Sequence, residues 1–197
     1  MSVTPVARSG MFLLFVLRLI FLSVPFFGSV LYVHAEDRVA DEYALKASYL
    51  TLFTQYTSWP VDELRESNTP IYICVLGYNP FGKLLEQSAF GRIGGAPLRV
   101  KLINNQQEAA PCQIVFIAKN ERKNEAEWIA ALKDKPILTV GESGKSIAHG
   151  GTVEFNTEKN RVQFEVNLAA VASANLKINS GMLTYASKVY RVPKVSP

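Results

Sequence analysis

The chain has 197 residues, 48% hydrophobic and 19% charged, enough apolar material for one domain with a sizeable core. Its net charge is +4, yet residues 1–35 hold Arg8 and Arg18 and no acid; without them 19 basic residues face 17 acidic ones. That near balance, with no basic cluster interleaved with aromatics, argues against a nucleic-acid-binding protein despite the pI near 9.0.

Residues 1–35 carry the apolar run "MFLLFVLRLIFLSVPFFGSVLYVHA" behind a basic start and end on Val33-x-Ala35. This is the layout of a secretory signal peptide cut after a small residue. The alternative is an uncleaved anchor, since about 20 apolar residues span a bilayer. Arg18 interrupts the run, and Pro25 and Gly28 break it. Either way the folded part, from residue 36 to 197, is expected outside the cytoplasm.

"DEYALKASYLTLFTQYTSWP" predicts a helix capped by Asp41 and ending near Trp59, ahead of Pro60. Apolar side chains cover most of its circumference, which calls for burial on more than one side. One reading places it inside the fold. Another turns Phe53, Tyr56 and Trp59 toward a partner or a second copy.

Strand and helix patterns then alternate. Ile71–Leu76 reads as a strand, about Pro80 to Ser88 as a helix, Leu98–Ile103 and Cys112–Ile117 as strands. A helix follows between Glu121 and Lys133, then a strand over Pro136–Val140. This predicts a single α/β domain, its mostly parallel sheet flanked by helices. "GTVEF" and "RVQFEVN" add a C-terminal antiparallel hairpin, with Val162, Phe164 and Val166 on its core face. A helix from about Leu168 and the segment "LKINSGMLTYASKVY" close the domain.

Motifs for chemistry are sparse. "GESGKS", Gly141 to Ser146, resembles a Walker A loop, but Thr139 stands where the first glycine belongs and Gly150-Gly151 follow too soon for the helix such a loop opens. "GYNPFG" is a well-built helix entry without dinucleotide spacing. His149 is the one histidine beyond the leader, so no multi-histidine metal site can form. No catalytic constellation, cofactor motif or metal set is expected. Cys74 and Cys112, 38 positions apart, form no C-x-x-C motif; in an oxidising compartment an even pair points to a structural disulfide, two buried unbridged thiols being the alternative. Glu165 and Asn167 share a polar strand face, and Lys177 and Asn179 alternate with Leu176 and Ile178. If these segments lie side by side, Glu165, Lys177 and Asn179 converge beside Val171 on a small-ligand site; a solvated face is the plainer reading.

Six stretches in order, "ALKASYLTLFTQYTSWP", "YICVLGYNPFG", "PCQIVFIA", "KPILTVGES", "GGTVEF" and "RVQFEVNLAAVASANLKINSGML", resemble the YfiR family over about Glu42 to Leu183. The resemblance implies a non-enzymatic periplasmic protein, often a homodimer. Such a protein represses an inner-membrane diguanylate cyclase by binding its periplasmic domain, which restrains cyclic di-GMP and biofilm formation. It places the family's strand disulfide on Cys74 and Cys112 and its small-ligand region around Glu165, Lys177 and Asn179. Some relatives carry a second cysteine pair, absent here, and basic or histidine residues where this chain has Asn179. The second hypothesis is a periplasmic small-ligand sensor module acting on another receptor, such as a histidine kinase.

Overall fold

A computed structural model of the chain describes residues 30–60, 69–89, 92–93 and 96–191, with side chains from Arg38 onward except at 92–93. Most of the expected leader therefore lies outside the described residues. The compact body begins at Ala40.

In chain order the elements are α1 (Val30–Tyr56), β1 (Thr57–Ser58), β2 (Ile71–Leu76), α2 (Leu84–Ser88), β3 (Arg92–Ile93) and β4 (Ala96–Ile103). Then come β5 (Cys112–Ile117), α3 (Glu125–Leu132), β6 (Leu138–Gly141), β7 (Val153–Glu158) and β8 (Arg161–Asn167). The chain closes with α4 (Leu168–Ser173), β9 (Lys177–Ile178), α5 (Ser180–Leu183) and β10 (Lys188–Tyr190).

Eight strands form one sheet in the order β10-β8-β7-β6-β5-β2-β4-β3. The pairings β4-β2, β2-β5, β5-β6 and β6-β7 are parallel, as is β10 on β8; β7-β8 and β3-β4 are antiparallel. The α/β class, the parallel core and the hairpin agree with the sequence reading. Strands β7 and β8 run further into the expected loop, pairing out to Glu158 and Arg161. Only Lys159 and Asn160 turn the corner, both at positive φ, as a two-residue hairpin matching strand twist requires.

The period-two alternation of a strand sends neighbours to opposite faces. Ile73, Val75, Ile114 and Phe116 join one cluster with Ala47, Leu50 and Phe53 of α1. Cys74, Leu76, Val115 and Ile117 join the other with Ile129 and Leu132 of α3. Continuous apolar runs therefore belong to strands buried on both faces, as parallel strands are. Cys74 and Cys112 sit in the α3-side cluster and are bridged, with their Cα atoms 5.9 Å apart. The disulfide ties β2 to β5 across the centre of the sheet.

Two helix starts differ from expectation. Helix α1 begins at Val30 and passes through Asp41 without a cap, because no glycine or proline stands between Gly28 and Pro60 to stop it. It ends at Tyr56, where Thr57–Ser58 pair with Lys177–Ile178 in a separate two-stranded ribbon. Asn79 does not open a helix: its carboxamide oxygen accepts from the Phe81 N–H at 2.9 Å and its amide donates to the Gly82 carbonyl, closing a turn, and α2 starts only at Leu84.

Candidate functional site

Chain direction along the sheet reverses between β2 and β5: β2 leads outward to β4, whereas β5 leads the opposite way to β6. Open α/β sheets bind ligands beyond the carboxyl ends of their strands near such a switch. At that end, one strand along, the residues after β5 and β6 and the later half of β7 meet the wall of α1 around a cleft of about 360 Å³.

The wall is a buried charge network. Lys46 is 3% exposed, and its ammonium lies 2.5 Å from Glu42 Oε1 and 2.6 Å from Glu142 Oε2. The Tyr43 hydroxyl donates to both oxygens of Glu142, at 3.2 and 3.3 Å, and the Lys119 N–H donates to Glu142 Oε1 at 3.0 Å. The Thr157 hydroxyl donates to Glu42. Burial would raise the Glu42 carboxyl, but the hydrogen bond and charge of Lys46, with Thr157, outweigh it and hold Glu42 below the usual carboxylate range. Burial and the neighbouring carboxylates push the Tyr43 hydroxyl far upward, so it stays a donor.

Glu142 opens the "GESGKS" loop, and the rest of that loop is fastened by two more buried carboxylates. Ser143 and Ser146 donate their hydroxyls to Glu125 of α3, with His149 Nδ1 3.3 Å from the same carboxylate. The backbone N–H groups of Gly144 and Ser146 donate to Glu154 of β7, at 2.7 and 2.5 Å. A Walker loop turns such N–H groups toward phosphate; here the protein's own carboxylate occupies them, which agrees with the rejection of a nucleotide site. Gly141 is required for this clasp, because a Cβ there would fall 1.6 Å from Ser146 Oγ.

The polar residues singled out from sequence do not converge as one group. Strand β8 pairs with β7 and β10, whereas β9 pairs with β1, so Glu165 and Lys177 lie on different sheets. Glu165 faces Lys188 across the β8–β10 pairing and accepts from the Tyr190 hydroxyl at 2.8 Å. It lines a second cleft with Gly144, Ile147, Glu154 and Tyr190. Val171 is buried in the core, Lys177 is exposed opposite Ser58, and Asn179 caps α5 through the Gly181 N–H. Asn167 caps α4 by accepting from Ala169 and Ala170.

Of the aromatic trio Phe53, Tyr56 and Trp59, the first and the last are turned to the interior. Phe53 is fully buried among Tyr49, Phe155 and Phe164, and Trp59 is 7% exposed with its indole N–H unpaired among the described residues. Neither offers a ring to a partner. Tyr56 is half-buried, and its carbonyl accepts from the Asn179 N–H.

With this geometry in place, comparison with known proteins decides the family. The YfiR/HmsC-like family model matches residues 43–187, which spans every strand from β1 to β9. The chain belongs to the YfiR/HmsC-like family. A crystal structure titled as a conserved domain protein from Vibrio cholerae O1 biovar El Tor is also similar, at 11% identity with a TM-score of 0.46. That match covers 66% of this chain and 57% of the other, so this YfiR/HmsC-like chain spans less than two thirds of its length. Among the described residues no helix is long and apolar enough to cross a membrane.

Sequence reasoning missed the Lys46–Glu42–Glu142 network. Lys46 and Glu142 are 96 residues apart, and Lys46 on a helix reads as an ordinary solvated charge until the fold is known. One signal was present: Glu142 directly follows an apolar strand, where α/β sheets place functional groups.

Proposed function

We propose that this protein is an exported regulator that binds the extracytoplasmic domain of an inner-membrane diguanylate cyclase and holds it inactive. The family match over residues 43–187 carries the reading. The Cys74–Cys112 bridge supports it, since structural disulfides belong to oxidising compartments. Residues 1–35 act as the leader that delivers the chain there.

Repression of this kind is a population shift: the regulator binds one conformation of the cyclase better than another. Moving a partner from half active to 99% inactive takes about 2.7 kcal/mol of differential binding. A modest protein interface provides that without chemistry in the regulator's own clefts. The body that presents the interface is stiffened by the bridge at its centre and by the carboxylate-fastened loop at the strand ends.

The test is a binding titration. The protein, purified as its host processes it, is added to the purified extracytoplasmic domain of a co-encoded membrane diguanylate cyclase. Saturable association that is lost when residues 36–197 are replaced by an unrelated exported domain supports the reading. No association at micromolar concentrations with any such cyclase domain of the host rejects it.

A further inference from the structure

We infer that the cleft between α1 and the ends of β5, β6 and β7 is a binding site for a small polar organic anion, its acidic group received by Lys119 and Arg122. The cleft holds about 360 Å³, at the lower end of small-molecule sites, and it lies where open α/β sheets receive ligands.

The charge pattern selects the sign of the ligand. Five charged side chains line the cleft: Glu42, Lys46, Lys119, Arg122 and Glu142. Both carboxylates are already satisfied from within. Glu42 accepts from Lys46 and Thr157, and Glu142 accepts from Lys46, Tyr43 and the Lys119 backbone. Lys46 is consumed between them. Lys119 and Arg122 remain, both exposed; the Lys119 charge reaches Glu42 through space, but neither side chain is held in a hydrogen bond or close ion pair among the described residues. They lie three positions apart across the Lys119–Glu121 turn, which sets both at one rim. A cation would meet the like charge of Lys119 and Arg122 and carboxylates whose acceptors are already taken. An anion would meet two donors, one of them a guanidinium suited to bidentate contact with a carboxylate or phosphate. Asn156 also lines the cleft and offers a further polar contact. Glu42, Tyr43 and Lys46 hold the wall in shape and are positioning residues.

This inference does not depend on the repressor reading, because it concerns the cleft and not the partner surface. It is tested by calorimetric titration of the host-processed protein at low ionic strength with succinate, inorganic phosphate, succinamide and putrescine. Saturable binding of succinate or phosphate, without binding of succinamide or putrescine, is expected; the anion that binds tells a carboxylate from a phosphate ligand. The K119A/R122A variant should bind at least tenfold more weakly, with an unchanged circular dichroism spectrum. The K83A/K135A variant, which removes two exposed cations elsewhere, should bind as the wild type. Binding of neither anion, equal affinity in K119A/R122A (an adventitious ion only), or preference for putrescine would each overturn the assignment.

Discussion

The Lys46 ammonium lies 2.6 Å from Glu142 Oε2, joining helix α1 to the end of β6 across 96 residues of sequence. Both side chains are at most 4% exposed. Two charges removed from water stabilise the fold only while each keeps its partner, and taking one away leaves the other buried and uncompensated.

Lys46→Met should therefore destabilise the protein by about 3–5 kcal/mol. K46M/E142Q, which removes both charges, should recover part of that loss. Urea denaturation midpoints of the two variants and the wild type measure the difference. A double variant less stable than K46M would contradict a paired interaction.

Acid titration should separate two glutamates of opposite behaviour. Glu42 is held below its ordinary value of 4.5, so its contribution is present above that pH and is lost as pH falls through the lowered value. Glu154 is raised, by burial first and with the charge of Glu125 adding, against the opposing N–H donors of Gly144 and Ser146. Its contribution is present in acid and is lost as pH rises through the raised value. Stability profiles over pH 3 to 7 should show E42Q losing less than the wild type on acidification. E154Q should lose less than the wild type on moving from acid to neutral pH.

Reduction of the Cys74–Cys112 bridge should lower stability by about 3–4 kcal/mol, the loop-closure contribution for 38 residues. Thiol labelling of the denatured, unreduced protein should find no reactive cysteine. C74S/C112S should show the same loss without reductant.

Phe53→Ala should cost about 3–5 kcal/mol, because the ring packs against Phe155 and Phe164 with no exposed surface. Thermal unfolding checks this. A variant of wild-type stability with weakened partner binding would instead place Phe53 at an interface.

The fold was legible where burial alone writes the pattern. Ile71–Leu76 and Cys112–Ile117 are strands with the boundaries their apolar runs predict, because both faces of each are covered; Gln113 is the one amide inside them. The turn at Lys159-Asn160 was less legible, since neither residue is a glycine. The ribbon β1–β9 was hidden: two-residue strands have no periodicity to read. The site was hidden for a related reason. Glu125, Glu142 and Glu154 look like surface acids in sequence, and only the fold shows them turned inward onto serine hydroxyls, a lysine and backbone N–H groups. Glu165, Lys177 and Asn179 alternate as one polar face would, yet the chain between them turns through α4 and sends β9 to another sheet.

Intracellular cyclic di-GMP, measured with and without this gene, tests the central claim most directly. Deletion should raise it, and supplying the chain with its leader should restore the original level, whereas supplying residues 36–197 without a leader should not. An unchanged level on deletion, or restoration by the leaderless chain, would contradict an exported repressor of a membrane cyclase.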